Sequence, residues 1–493
     1  SATLTITITG VNDAPVISVE EGDSDSENID ETNTTLEATG TLTLSDIDTT
    51  NTVTMTKVAT VATGGTYTGP LPDDSILIAM FSVTGELDDT EQSSLNGIDW
   101  TFDSGSEYFD FLPAGETLVL TYTVKATDSY GATDTHTVTI TITGTNDAPV
   151  ANPDTGKVTE DIKLIETGNV LDNDTDVDYQ DTLNVTGVAT GTQTSAVGNV
   201  GSNVAGEYGK VKITADGSFT YTLDNDDPRI QALAHDDPPI TDIFTYTITD
   251  SQGATSTTTL TISIYGSNDA PVISILNGDT ASATLTETAP ATPLSTSGTL
   301  SLYDVDTTNT VGTSVANQIS IGGTFLDLPS SSGELPDNAT LIAMMSVTGE
   351  LGNTEQASPN GIEWTFDSGD VDFEFLPEGR TLVLTYTIVA TDSFGATDTQ
   401  TVTITIVGVD SQGSLTNDTA DVDEDNTLNG NVLVNDIPDP DYKEPFEVTK
   451  FTIAGTDTVF DAGDSAETGV GTITINEDGS YTFIPLPNYS GPV

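Results

Sequence analysis

The residues best suited to chemistry in this chain are three copies of an Asn-Asp-Ala-Pro tetrad. They begin at Asn12-Asp13, Asn146-Asp147 and Asn268-Asp269, with the aspartates 134 and 122 residues apart. Each tag is followed by one early glutamate and then by an Asp-x-Asp pair. Glu31 and Asp46-x-Asp48 follow the first, and Glu160 and the run Asp174-x-Asp176-x-Asp178 follow the second. Glu287 and Asp304-x-Asp306 follow the third. An aspartate also stands in a glycine-containing turn late in each complete repeat, at Asp128, Asp250 and Asp392. Carboxylate, amide and carbonyl oxygens are hard ligands, and Ca2+ takes six to eight of them at roughly 2.3–2.6 Å. Two carboxylates about 5 Å apart repel by roughly 3 kcal/mol at an effective dielectric near 20, so several at one hinge call for a cation. The expected chemistry is therefore calcium binding between successive domains.

Other chemistries are poorly supplied. The chain has no cysteine, only two histidines and 10 Lys plus Arg, which removes disulfides, thiolate metal sites and cysteine nucleophiles. His136 is replaced by Gln400 in a twin repeat described below, unlike a catalytic base. General acid–base work would fall to carboxylates alone. Those cluster at domain ends rather than in a central cleft, so no enzyme is expected. A net charge of -68 argues against nucleic acid and against anionic membranes, since phosphate binding needs clustered Lys and Arg. No apolar run is long enough for direct membrane insertion. With 35% hydrophobic residues in strong patterns, the chain is expected to fold despite its acidity.

The tags are positioned by two alternating repeat types. "LIAMFSVTGEL" from Leu77 pairs with "LIAMMSVTGEL" from Leu341, and "GIDWTFDSG" from Gly97 with "GIEWTFDSG" from Gly361. These define an A type. "VTEDIKLIETGNVLDNDTDVD" from Val158 resembles "VDEDNTLNGNVLVNDIPDPD" from Val422, and defines a B type. A six-residue insertion in the second A repeat is placed near a Pro/Ser/Gly-rich loop around Ser330. Segments such as "TLVLTYTVKAT" alternate apolar residues with Thr or Ser, the period of half-buried strands. Thr, β-branched and polar, suits the wet face. The fold class expected is all-β, a tandem of Ig/cadherin-like β-sandwich domains in an elongated rod. Its divisions are 1–13 (closing strand of a preceding domain plus linker), 14–147 (A1), 148–269 (B1), 270–409 (A2) and 410–493 (B2, incomplete at its C-terminal end). Trp100, Trp364, Met80 and Met344 read as core.

The stretch "TYTVKATDSYGATDTHTVTITITGTNDAPV" resembles the VCBS repeats of giant bacterial adhesins, and the B units resemble bacterial cadherin-like repeats of the tandem-95 type. The resemblance covers essentially the whole chain. It implies calcium between successive domains, held by an early-strand Glu, a turn Asp, an Asn-Asp linker and a downstream Asp-x-Asp. The matching positions are Glu160, Asp128, Asn146, Asp147, Asp174 and Asp176 at one junction, with Asp178 adjoining. At the next they are Glu287, Asp250, Asn268, Asp269, Asp304 and Asp306. Asn12, Asp13, Glu31, Asp46 and Asp48 match at the start of the chain. The last junction reads "IVGVDSQGSLTND" without the tetrad, leaving Asp410, Asp418, Glu424, Asp439 and Asp441 as candidates. Glu116 is not counted as a ligand because Arg380 replaces it in A2. The function implied is a spacer within an exported adhesin on the bacterial cell surface, its partners being neighbouring repeats. One alternative is a self-assembling filament, in which residues 1–10 of one copy complete B2 of another by strand exchange. A second is a carbohydrate-binding module, for which 6% aromatic residues offer little platform.

Overall fold

The computed structural model describes residues 3–288, 292–327, 335–352, 355–439, 441 and 445–489. It is nearly all-β, with only short helices such as Asp74–Ala79 and Asn338–Ala343. The chain divides into two compact units. One comprises residues 1–227 with 238–265, and the other 228–237 with 266–493. Residues 328–334, around the expected insertion, lie outside the described residues, as do 490–493.

In the first unit, A1 is built from two faces. Strands Val16–Ser18, Glu37–Ser45, Ser93–Asp103 and Phe81–Leu87 pair in that order. The other face runs Val53–Gly65, Thr117–Asp128, Thr133–Thr143 and Ser26–Asp30, and joins the first where Val53 pairs with Leu87. The long strand Thr117–Asp128 alternates along its length, so Leu118, Leu120, Tyr122, Val124 and Ala126 all point into the core. Each large apolar side chain buried this way contributes roughly 1.5–3 kcal/mol. Trp100 is fully buried and donates its Nε1–H to the Ser24 carbonyl at 2.8 Å. Its ring lies against Gly40, where a Cβ would come within 2.3 Å of it. The "LIAM" run is a single helical turn that sends Leu77 and Met80, three apart, into the same core. B1 packs two four-stranded sheets. One runs Ile165–Asn169, Ser218–Leu223, Gly209–Ile213, Asn203–Ala205. The other runs Asn184–Thr190, Ile240–Thr249, Thr255–Tyr265, Asp154–Thr159.

In the second unit, A2 repeats the A1 plan, with Trp364 buried and bonded to the Thr280 carbonyl at 2.7 Å. B2 presents a sheet of Leu428–Asn431, Ser480–Pro485, Gly471–Ile475 and Ser465–Glu467, and a hairpin of Lys450–Thr452 with Val459–Asp461.

One pairing decides where the acids go. An early strand runs parallel to the domain's last strand in three domains: Ser26–Asp30 beside Thr133–Thr143, Asp154–Thr159 beside Thr255–Tyr265, and Ser282–Thr286 beside Thr397–Val407. The residue after each early strand therefore sits where the chain leaves the domain. Residues 3–10, expected to be a strand, pair with nothing described. Leu4, Ile6 and Ile8 are 84%, 75% and 90% exposed. A strand needs a partner to form a ladder, and a lone segment leaves its backbone to water. No helix among the described residues is long and apolar enough to cross a membrane.

Candidate metal centres

Each tag folds back onto the domain it precedes. In A1 the Asn12 amide donates to Asp128 Oδ2 at 2.8 Å, and the Asp13 backbone N–H to Asp48 Oδ2 at 2.7 Å. In B1, Asn146 donates to Asp250 Oδ2 at 2.9 Å, and Asp147 N–H to Asp178 Oδ2 at 3.0 Å. In A2, Asn268 donates to Asp392 Oδ2 at 2.8 Å, and Asp269 N–H to Asp306 Oδ2 at 2.9 Å. Within each Asp-x-Asp pair the second residue's N–H bonds Oδ1 of the first, for Asp46/Asp48, Asp176/Asp178, Asp304/Asp306 and Asp439/Asp441. Before B2, Ser411 takes the place of the tag aspartate and donates its N–H to Asp441 Oδ2 at 3.1 Å.

The turn aspartate is held from behind. Asp250 Oδ1 accepts from the N–H groups of Gln252, Gly253 and Ala254. Burial alone would raise its pKa, but the Asn146 amide and these backbone donors outweigh it, and the carboxyl is held below its usual range. Asp128 is held low in the same way by Asn12 and the amides of Ala132, Tyr130 and Gly131. These turns thus stay ionised and anchor the tags.

The structure groups the acids differently from the sequence expectation. Asn146 pairs with Asp250 of the domain that follows, not with Asp128 of the domain before. The early glutamates lie at domain exits: Glu31, Glu160 and Glu287 donate their N–H to Thr143, Tyr265 and Val407 at the ends of the last strands. Glu160 is therefore placed at the exit of B1, not beside Asn146-Asp147. Of the overlapping pairs after the second tag, Asp176/Asp178 takes the tag contact. Asp174 instead accepts from the Asn152 N–H at 2.7 Å and lies 3.5 Å from the Tyr246 hydroxyl, which is 2.6 Å from Asp154 Oδ2. Glu424 is exposed, in the turn leading to strand Leu428–Asn431.

The exit of A1 meets the entry of B1 within the first unit. Carboxylate oxygens of Glu31, Asp110 and Asp147 all lie within 4.8 Å of one another. Glu31 is 1% exposed. Its Oε2 takes the Thr145 hydroxyl at 2.6 Å, while its Oε1, Asp110 Oδ1 and Asp147 Oδ2 are buried with no hydrogen-bond partner. Burial raises the pKa of Glu31 and of Asp110, and the neighbouring Asp147 raises both further. Asp110 escaped the sequence reading. It follows Phe109, whose ring is fully buried and whose φ is +64°. The signal was available: "FDFLP" around Asp110 becomes "FEFLP" around Glu374 in A2, with the acid retained.

A second cluster adjoins the first. Asp176, Asp178 and Asp181 also bring carboxylate oxygens within 4.8 Å of one another. Asp176 Oδ2 and Asp178 Oδ1 are buried without partners. Burial, with Asp176 and Asp147 nearby, pushes Asp178 up to about 6. The second unit carries matching features. Glu287, 4% exposed, is pushed to about 7 by burial and by Asp441, Glu374 and Asp372, and its Oε2 has no partner. Asp441 is pushed to about 6, chiefly by burial and Asp439. Asp306, fully buried, is pushed to about 7 by burial and by Asp304 and Asp269.

An unsatisfied buried carboxylate oxygen is costly, and its neighbours here are more carboxylates. Among the described residues, the ion pairs His136–Asp25, Lys163–Glu166 and Lys450–Asp461 do not involve Glu31, Asp110, Asp147, Asp176 or Asp178. The donor set is oxygen throughout, which suits Ca2+ and not a thiolate- or imidazole-preferring metal.

Paired sheets of this kind define a tandem of β-sandwich domains. More particularly, residues 146–266 match the family model of the bacterial cadherin-like domain, and residues 412–493 that of the bacterial Ig domain. No curated protein sequence matches the chain. Among solved structures it is similar to Drosophila N-cadherin EC1-4, at 15% identity over 81% of this chain and 76% of that one, with a TM-score of 0.29. It is also similar to the extracellular cadherin domains 1-5 of protocadherin gamma B2, at 17% identity over 84% of this chain and 62% of that one, with a TM-score of 0.37. A mouse clustered protocadherin, EC1-3 of PcdhgC3, matches at 16% identity over 69% and 92%, with a TM-score of 0.33.

Proposed function

We propose that this chain is a spacer region of an exported bacterial surface adhesin, a series of cadherin-like sandwiches whose junctions are stiffened by Ca2+. The observation that carries this reading is the set of buried, unpartnered carboxylate oxygens at Glu31, Asp110 and Asp147, where one domain hands over to the next. Glu31 and Asp110 come from A1, Asp147 from the linker, and Asp176 and Asp178 from B1. Glu287, Glu374, Asp439 and Asp441 are their counterparts in the second unit. Bound Ca2+ would supply positive charge and shared coordination to oxygens that otherwise repel. The protein's own part is to fix the linker: Asn146 and the Asp147 N–H clamp it to B1, and Thr145 ties it to Glu31. No side chain is required to react. The strands carry load, and the charge of -68 keeps the array soluble.

The test is equilibrium dialysis of the chain against Ca2+ at neutral pH, with thermal melts alongside. Uptake of several ions per chain with a rise in melting temperature is expected. No uptake at millimolar Ca2+ sinks the reading.

The exposed alternation Leu4, Ile6, Ile8 favours a second reading, in which this segment adds as a strand to another copy. Solution mass that rises with concentration supports it. A mass independent of concentration rejects it.

A further inference from the structure

We propose that the entry face of B1 is a stronger divalent-cation site than the entry faces of A1 and A2, because Asp181 stands where those domains carry asparagine. The inference rests on the calcium reading above and ranks its sites. Three residues beyond the Asp-x-Asp pair, A1 has Asn51, A2 has Asn309 and B1 has Asp181. In A1 the Asn51 amide donates to Asn12 Oδ1 at 2.8 Å, and in A2 the Asn309 amide donates to Asn268 Oδ1 at 2.8 Å. An N–H group thus occupies the tag oxygen in both A domains.

The Asp181 side chain has no N–H to give. In B1 the tag oxygen, Asn146 Oδ1, is buried and has no partner. The change from amide to carboxylate takes the N–H off the tag oxygen and adds a negative charge; in A2 the Asn309 Oδ1 is itself buried without a partner, so the added charge is what sets B1 apart from it. Among the described residues, neither Asp46 and Asp48 in A1 nor Asp304 and Asp306 in A2 belongs to a triple of acids as close as Asp176, Asp178 and Asp181. A further observation marks the place as a ligand site: Asp178 is 2% exposed, and its Oδ1 has no partner. Asp181 is itself held in position, since its Oδ1 accepts from the N–H groups of Thr182 at 2.6 Å and Ser251 at 3.2 Å. Calcium affinity in oxygen cages rises with the number of charged ligands, so the B1 face should fill first as Ca2+ rises. The junctions would then stiffen in sequence rather than together.

The test is competition of the whole chain with a chromophoric calcium chelator, which reads the tightest sites. Asp181→Asn is expected to weaken the tightest class by roughly 10-fold or more, the scale on which even outer-shell changes act at metal sites. Asn51→Asp, the reciprocal change, is expected to add a site to that class. A wild-type chain that binds Ca2+ with a tightest class unmoved by Asp181→Asn overturns the ranking and leaves the calcium reading standing. The same holds if Asn51→Asp adds nothing while the variant stays folded by circular dichroism. A wild-type chain that binds no Ca2+ overturns both.

Discussion

Removing Ca2+ should give the folded protein an inverted dependence on pH. The buried carboxyls Asp306 and Glu287 have pKa values raised to about 7, and Asp178 and Asp441 to about 6. The unfolded value for Asp306 is near 3.8. A group with a raised folded pKa binds more protons folded than unfolded between those two values, so stability falls as pH rises through that window. For Asp306, fully buried, the linkage relation gives roughly 2–3 kcal/mol lost between pH 5 and pH 8. For a domain of this size that is roughly 10 °C in melting temperature. Scanning calorimetry of the chain in chelator, at pH 5 and pH 8, measures it. The chelated chain should melt higher at pH 5. With millimolar Ca2+ the order should reverse, since protons compete with the metal for the same oxygens. A chelated chain that is more stable at pH 8, or indifferent to pH, refutes the reasoning that these carboxylates are buried and uncompensated.

Other consequences follow from single residues. Glu31→Gln keeps an oxygen for the Thr145 hydroxyl but removes a buried charge. It should raise the melting temperature in chelator and lower the gain from Ca2+, a reversal that a loss of packing cannot produce. Trp364→Ala empties a fully buried site and removes the bond to the Thr280 carbonyl. It should cost about 3–5 kcal/mol in the transition assigned to A2, read by denaturant unfolding.

Much of this architecture was legible in the residues. The period-two strands and the buried tryptophans follow from local pattern, because Thr117–Asp128 and its twin Thr381–Asp392 present one apolar and one hydroxylic face. The tag contacts to the Asp-x-Asp pairs were legible in kind. Their grouping was not, because it depends on a parallel pairing between strands more than a hundred residues apart. "SENID" at Ser26–Asp30 carries no alternating apolar signal, and nothing local says that it lies beside Thr133–Thr143. That pairing alone moves Glu31 from the domain's entry to its exit. Likewise "DTDVD" contains two overlapping Asp-x-Asp pairs, and only the backbone bond from Asp147 to Asp178 selects the second. Asp110 lay in a turn after the buried Phe109, and the acid retained as Glu374 in the twin repeat was its one mark in the sequence.

The most direct test of the central claim is small-angle scattering of the whole chain with Ca2+ and then with chelator, with far-ultraviolet circular dichroism on the same samples. The account predicts a profile that broadens towards a flexible chain of domains on chelation, while the β-signal persists. Identical scattering in both conditions would contradict it, because the acidic junctions would then hold their geometry without a metal.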